Sequence, residues 1–322
     1  MSDNLLSVNS LSVGFKKDKK IINVLDRVSF NMKKGEILGI VGESGCGKSL
    51  TSLSIMKLLP QNAVITEGEI NFKGKDIVKC PMDEIINIRG EKIAMIFQEP
   101  MTSLNPVYRI GDQICEMLML HKKIKKKEAM DIVIERLKLV SIPSPEKVIY
   151  QYPHELSGGM RQRIMIAMAM VCSPQLLIAD EPTTALDVTI QSQILHLMKN
   201  LKDRLSSSVL LITHDLGVIA EMCTDVVVMY AGRTVESANV YDLFKNPAHP
   251  YTVGLLRSLP TINENRKRLY TIPGTVPSPE EFSRGCRFAC RCEFVQDKCF
   301  NEPPTYVDLG NDHKVSCWMK IS

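Results

Sequence analysis

The feature that most constrains this chain is an eight-residue loop of the form G-x-x-x-x-G-K-S, which runs from Gly42 to Ser49. The apolar run 36–41 before the loop predicts a buried strand. The segment 50–59 after the loop carries apolar residues at helical spacing and is followed by Pro60, so it predicts a helix. A strand, this loop and a helix in that order are typical of a phosphate-binding unit in an α/β domain.

The residue types of the loop explain how it would bind a nucleotide. Glycines let successive backbone N–H groups point at one phosphate, and the helix that follows contributes the positive end of its dipole. Lys48 is expected to reach the β- and γ-phosphates, and the hydroxyl of Ser49 to ligate Mg²⁺. The residues predicted to bind ATP here are Gly42, Ser44, Gly45, Cys46, Gly47, Lys48, Ser49 and Leu50.

Two carboxylates follow a second predicted strand. The run 176–179 is apolar and predicts a central parallel strand, and Asp180 and Glu181 lie at its carboxyl end. Ligands of open α/β sheets bind at that end. Asp180 is therefore expected to hold Mg²⁺ through water, and Glu181 to polarise a water for in-line attack on the γ-phosphate.

Further motifs around these two resemble those of ABC-transporter ATPases. The segment Leu156-Ser157-Gly158-Gly159-Met160-Arg161-Gln162-Arg163 resembles the signature motif of that family, and it lies shortly before the strand with the two carboxylates. Gln98 resembles the glutamine of the Q-loop, 185–187 resembles the D-loop, and His214 resembles the switch histidine. The motifs occur in the order of the family, and the resemblance covers roughly residues 5 to 260.

The resemblance implies a role for each matched residue. Ser157 and Gly159 would contact the γ-phosphate held by a partner, so that two nucleotides lie between the subunits of a head-to-tail dimer. Phe15 would stack on adenine, with packing in the core as its alternative role. The implied catalytic residues are Glu181, His214, Gln98 and Lys48, and the implied Mg²⁺ ligands are Ser49, Gln98 and Asp180. One departure is Leu50, where relatives often have Thr.

The predicted fold is an α/β P-loop NTPase of the ABC ATPase type, with a mostly parallel sheet and antiparallel N-terminal strands. Residues 1–245 would form the nucleotide-binding domain. Within it, 99–172 has almost no strand pattern and predicts helices at 110–120 and 128–140, where the family has a helical subdomain. Residues 246–322 would form a small cysteine-rich extension.

The extension resembles that of the peptide-importer branch of the family, the dipeptide, oligopeptide and nickel group. The cysteine pattern of that branch is matched by Cys286, Cys292, Cys299 and Cys317, with Cys290 as an addition. Clustered cysteines in a reducing compartment favour a metal site. The gaps of five, six and seventeen residues differ from the C-x₂₋₄-C pairs of zinc sites and indicate a larger [4Fe–4S] cluster. Zinc, with Cys290 as a further ligand, is the alternative, and free thiols in a small apolar core are a third interpretation.

Composition bounds the partners and the location. The 40 Lys and Arg nearly balance the 36 Asp and Glu, and a net charge of +4 does not indicate a nucleic-acid partner. No stretch reaches the ~18 uncharged apolar residues of a transmembrane helix, and the N-terminus lacks the basic and then apolar run of a signal peptide. The chain is expected on the cytoplasmic face of a prokaryotic cell membrane.

The expected function is an ATPase subunit that powers the import of dipeptides or oligopeptides. The resemblance implies a second, commonly different ABC ATPase subunit, two membrane-spanning permease subunits and, indirectly, an extracytoplasmic peptide-binding protein. Import of nickel complexes is one alternative. A soluble ABC ATPase that acts on nucleic acid or ribosomes is another, but such proteins usually carry two cassettes or a long coiled-coil insertion. This sequence has one set of motifs and no such insertion.

Overall fold

The computed structural model describes residues 4–18, 20–98, 103–183, 187–259 and 270–319. The chain forms two compact units, each discontinuous in sequence. Unit 1 comprises residues 1–33, 37–79 and 212–322, and unit 2 comprises residues 34–36 and 80–211. The division falls within strand β8, Ser208–Thr213. The C-terminal extension thus clusters with the phosphate loop in unit 1.

Unit 1 contains two groups of strands. The first is an antiparallel sheet in the order β2-β1-β4-β5, built from β1 (Asn4–Lys17), β2 (Lys20–Lys33), β4 (Ala63–Phe72) and β5 (Lys75–Asp76). In the second, β3 pairs in parallel with β9, and antiparallel pairing continues from β9 through β10 and β12 to β11. Their bounds are β3 (Ile37–Val41), β9 (Asp225–Tyr230), β10 (Arg233–Asn239), β11 (Val307–Asp308) and β12 (Lys314–Val315). The sheet that the sequence predicts to be mostly parallel is thus mixed.

The helices of unit 1 follow or cover these strands. They are α1 (Lys48–Ile55), α8 (Leu216–Met222), α9 (Val240–Lys245), α10 (Pro250–Arg257) and α11 (Asp297–Asn301). All five residues of β3 are buried, which explains their apolar character. Tyr230 at the end of β9 and Tyr251 in α10 are fully buried, and Phe288 packs with both. Residues of the C-terminal extension therefore share the core of this sheet.

Unit 2 is mostly helical around a short parallel pair of strands. Strands β6 (Ile93–Ile96) and β7 (Leu176–Asp180) pair in parallel. The helices are α2 (Met82–Ile88), α3 (Ile110–Lys122), α4 (Lys126–Leu139), α5 (Pro145–Val148), α6 (Gly158–Met170) and α7 (Val188–Leu205). Ile114 in α3, Val133 and Leu137 in α4, and Ile164 in α6 are fully buried. The helices predicted at 110–120 and 128–140 are thereby confirmed.

One predicted boundary was wrong, because α1 ends at Ile55 rather than continuing to residue 59. The backbone of Lys57 adopts a left-handed conformation with φ 53°. The N–H of Leu58 donates to the carbonyl of Leu53, and the N–H of Lys57 donates to that of Ser54. This is the bonding of a Schellman motif, with lysine in the place that glycine usually takes. Within the described ranges, no helix is long and apolar enough to span a membrane.

Candidate nucleotide-binding site

The phosphate loop joins β3 to α1 in unit 1, and close contacts require its glycines. Gly47 lies directly before α1 with a φ of 98°, a conformation that L side chains rarely adopt. A Cβ on Gly42 would lie 2.2 Å from the carbonyl oxygen of Met229. Cys46 is fully buried, and burial raises the pKa of its thiol. The thiol therefore packs as a small apolar group under the backbone of the loop.

Lys48, the first residue of α1, lies against the backbone of the loop. Its side chain is 5% exposed, and its Nζ donates to the carbonyl oxygens of Gly42 (2.7 Å) and Glu43 (3.2 Å). Ser44 and Gly45 at the tip of the loop are exposed, and Ser49 and Leu50 are half-buried. The loop thus presents exposed backbone beside a buried ammonium group, the combination that phosphate binding requires.

Glu43 is fixed at both ends, a feature that the sequence interpretation missed. Its backbone N–H donates to the hydroxyl of Tyr251 at 2.8 Å. Its carboxylate accepts two hydrogen bonds from Arg291, at 2.6 and 3.1 Å. Both partners belong to the C-terminal extension, more than 200 residues away in sequence, and no local pattern marks such a contact.

The predicted carboxylates lie in unit 2 at the end of β7. Asp180 is 3% exposed, and Glu181 follows it with a φ of 45°. Residues other than glycine rarely adopt this left-handed backbone, and such strain clusters at functional sites. The amide Nε2 of Gln98, an exposed residue just after β6, donates to Oε2 of Glu181 at 3.3 Å. The structure therefore brings together two of the predicted catalytic residues.

Helix α6, which begins at the predicted signature motif, is capped by Ser157. The hydroxyl of Ser157 accepts from the N–H of Met160 at 3.3 Å. Among the described residues, a Cβ on Gly158 would meet no atom within 4 Å, and one on Gly159 would meet only Ile190, at 3.8 Å. The helix N-terminus is thus open and can accept an anion. The same helix holds the turn after Glu181, because the amide of buried Gln162 donates to the carbonyl of Pro182.

The remaining predicted residues occupy less enclosed positions. His214 is exposed directly after β8 in unit 1. Phe15 is half-buried on β1, opposite Ile22 of β2 and Ala63 of β4. Asp187 caps α7, since its carboxylate accepts from the N–H of Ile190 at 2.9 Å. The other two residues of the predicted D-loop, 185 and 186, lie outside the described residues.

The four cysteines predicted as ligands line one cavity of unit 1. Cys286, Cys292, Cys299 and Cys317 surround it together with His249. Its volume is about 20 Å³, room for about one water molecule. Burial and the neighbouring cysteines raise the pKa of Cys286 to about 11. In the described part of the chain, no group of three or more cysteine, histidine, aspartate or glutamate side chains is arranged to hold a metal ion. Cys290, the further ligand of the zinc alternative, is exposed.

Two protein-family models match this chain. The model "ABC transporter" matches residues 25–184, and the model "Oligopeptide/dipeptide transporter, C-terminal region" matches residues 235–299. The first match contains the phosphate loop and both carboxylates. The second contains Tyr251, Arg291 and three of the four cavity cysteines.

Curated relatives are similar over nearly the whole chain. The oligopeptide transport ATP-binding protein AppD of Bacillus subtilis is 50% identical, over 98% of this chain and 96% of its own. The dipeptide transport ATP-binding protein DppD of the same organism is 49% identical, over 99% of this chain and 95% of its own. The oligopeptide transport ATP-binding protein OppD of Escherichia coli is 47% identical, over 94% of this chain and 90% of its own.

Solved structures agree with these matches. A dimeric ATP-binding cassette in a post-hydrolysis state, bound to ADP and Pi, has a TM-score of 0.65 and 27% identity. The match covers 73% of this chain and 98% of that cassette. The protein cbiO1 of Clostridium perfringens, part of the ABC transporter complex cbiONQ, has the same TM-score and identity. That match covers 76% of this chain and 92% of the other.

Proposed function

Because this chain belongs to the ATP-binding subunits of the peptide and oligopeptide ABC transporters, we propose that Lys48, Asp180 and Glu181 carry its ATP hydrolysis. The chain is an ABC-type ATPase, the subunit that powers an oligopeptide or dipeptide importer. The observation that supports the assignment of Glu181 is its hydrogen bond from Gln98. This contact joins the two residues that would orient an attacking water.

Each residue has a distinct task in this proposal. Lys48 leaves the carbonyls of the loop and binds the β- and γ-phosphates, while the loop N–H groups bind the same oxygens. Ser49, Gln98 and Asp180 would hold Mg²⁺, which would neutralise the charge of the phosphates. Glu181 accepts a hydrogen bond from the attacking water, and Gln98 fixes the direction of the Glu181 carboxylate. His214 donates a hydrogen bond to the γ-phosphate.

The substitution Glu181→Gln tests the hydrolysis step, because it preserves size and removes the carboxylate. In the assembled transporter we expect MgATP binding to be unchanged and turnover to fall by about 100-fold or more, the contribution of a general base. Glu135→Gln is the matched control, since Glu135 is an exposed residue of the same unit. Turnover of Glu181→Gln at the rate of the control would refute the role of Glu181.

The partners follow from the same family membership. We propose a head-to-tail dimer with a second ABC ATPase subunit, in which Ser157 and Gly159 of one subunit face the nucleotide held by the other. The N-terminus of α6 supports this arrangement, because the described residues do not crowd its two glycines and helix N-termini bind phosphates. Two membrane-spanning permease subunits would place the dimer at the cytoplasmic face of the membrane.

We also propose that Cys286, Cys292, Cys299 and Cys317 would hold a [4Fe–4S] cluster. Two observations support this proposal: four thiolates are the usual ligands of such clusters, and all four cysteines line one cavity. The cavity is small, so the thiols would move apart to admit the group. The cluster, when bound, would cross-link segments of the extension that have little apolar core of their own.

Anaerobic purification with iron and sulfide analysis tests the cluster. We expect about four iron atoms for each chain, a content that falls in Cys292→Ser. The control Cys290→Ser changes an exposed cysteine and should keep the iron. Colourless protein with stoichiometric zinc would contradict the proposal.

A further inference from the structure

The C-terminal extension reaches the phosphate loop through one buried guanidinium group. Arg291 is the last residue of a 3₁₀ turn, Ala289–Arg291, between two cysteines of the extension. Its side chain is 5% exposed, and that of Glu43 in the loop is 30% exposed. Nη1 lies 2.6 Å from Oε2 of Glu43, and Nη2 lies 3.1 Å from Oε1. This is a paired, two-point contact, which fixes orientation as well as distance.

The guanidinium group is itself held on its other sides. It donates to the carbonyl oxygen of Pro273 at 2.8 Å, to that of Ile272 at 3.3 Å, and to the hydroxyl of Tyr230 at 3.3 Å. Its carbon lies 6.0 Å from the centre of the Phe288 ring, a cation–π distance. Burial opposes the charge, but the hydrogen bonds to Glu43 and Tyr230 outweigh it and raise the pKa of Arg291. Arg291 is thus a preorganised, permanently charged anchor.

Glu43, which Arg291 holds in place, also accepts a hydrogen bond from Lys48 of the phosphate loop. The backbone carbonyl oxygen of Glu43 accepts from Nζ of Lys48 at 3.2 Å, and the backbone N–H of Glu43 donates to the hydroxyl of Tyr251. Side chain, N–H and carbonyl of Glu43 are therefore all fixed, two of them by the extension. A shift of the Glu43 side chain would move the peptide groups whose carbonyl oxygens accept hydrogen bonds from Lys48.

We propose that Arg291 is a positioning residue of the phosphate loop, acting through Glu43, so that the C-terminal extension sets the affinity for MgATP. The inference rests on the nucleotide-binding function proposed above. Cys292, adjacent to Arg291, lines the cysteine cavity. Only the peptide bond between Arg291 and Cys292 separates the residue that contacts the loop from a residue that lines the cavity.

A second arginine of the extension supplies a matched control. Arg287 lies four residues earlier and is also buried. Its hydrogen bonds go to the carbonyl of Val24 at 3.1 Å, to the carbonyl of Ala231, and to the carboxylate of Asp26 at 3.3 Å. All three acceptors lie outside the phosphate loop. Arg287 therefore anchors the extension without touching the loop.

Calorimetric titration of the full chain with MgATP tests the inference. Arg291→Met should raise the dissociation constant about tenfold or more, the effect of losing a hydrogen bond between charged groups. Arg287→Met should keep the dissociation constant within about twofold of the wild-type value, although this variant loses contacts of similar energy. Arg291→Lys, which keeps the charge but not the two-point contact, should give an intermediate value.

Glu43→Gln breaks the same two-point contact from the loop side, because it removes the charge and replaces one acceptor oxygen with an NH₂ group, and it leaves the buried arginine in place. We expect Glu43→Gln to weaken MgATP binding as much as Arg291→Met, and the double variant to be no weaker than either, because both remove one interaction. Wild-type affinity in Glu43→Gln, or equal losses in Arg287→Met and Arg291→Met, would overturn the inference. A wild-type chain that binds no MgATP would instead refute the proposed function.

Discussion

Glu236 on β10 is a fully buried carboxylate, and its replacement by glutamine tests how the extension is held. Its Oε1 accepts from the N–H of Ala248 at 2.7 Å and from Nε2 of His313 at 2.8 Å. Its Oε2 accepts from the N–H of His249 at 2.9 Å. These bonds fix the entry to α10, the helix that carries Tyr251 to the phosphate loop.

The size of the effect follows from those three bonds. In Glu236→Gln, one oxygen becomes an NH₂ group, so at least one buried N–H faces a donor instead of an acceptor. The ion pair with His313 is lost as well. Removing one partner of a buried ion pair costs about 3–5 kcal/mol. We therefore expect Glu236→Gln to lower the free energy of unfolding by that amount at pH 6.

The effect should also depend on pH. The hydrogen bond to Glu236 raises the pKa of His313 above its ordinary value of 6.5. The folded chain then holds the His313 proton more tightly than the unfolded chain. This contribution to stability is fully present below pH 6.5 and is lost as pH rises through the folded pKa. The difference in unfolding free energy between wild type and Glu236→Gln should therefore be larger at pH 6 than at pH 9.

Urea unfolding followed by circular dichroism at pH 6 and pH 9 measures both quantities. Glu280→Gln is the control, because Glu280 makes an exposed ion pair with Lys17, and such pairs contribute only about 0–1 kcal/mol. A Glu236→Gln variant as stable as Glu280→Gln, or a difference that does not shrink at pH 9, would refute this reasoning.

Two predictions concern unit 2. Ser157→Ala removes the cap of α6 and should cost about 1 kcal/mol in urea unfolding, whereas Ser157→Asn should retain most of that stability. Leu137→Ala empties a fully buried position of α4 and should cost about 2–5 kcal/mol. A loss below 1 kcal/mol for Leu137→Ala in the same urea assay would show that the helices do not pack as described.

Local patterns in the sequence were sufficient for the central elements. The strand Leu176–Asp180 begins at its predicted first residue and extends one residue beyond the predicted run 176–179, because an apolar run there ends at two carboxylates. The phosphate loop follows from its glycines, since Gly42 and Gly47 meet contacts that exclude a side chain. Helix α1 ends before its predicted last residue because Lys57 adopts a left-handed backbone conformation, which a lysine in the sequence does not indicate.

Contacts between distant segments could not be predicted from sequence. Arg291 lies 248 residues from Glu43, and nothing near either residue marks the pair. Gln162 lies in the predicted signature motif, but its bond to Pro182 depends on how α6 packs beside the end of β7. Glutamine and arginine are ordinary surface residues by composition, and their burial here is a property of the tertiary fold.

ATP-driven peptide uptake tests the central claim most directly. The chain is purified with its permease subunits and the second ATPase subunit, and the complex is placed in proteoliposomes. A peptide-loaded binding protein is added on the side of the membrane opposite the ATPase subunits. We predict peptide uptake that requires MgATP and is lost when this chain carries Lys48→Ala. Uptake that continues without ATP, or that Lys48→Ala leaves unchanged, would contradict the account.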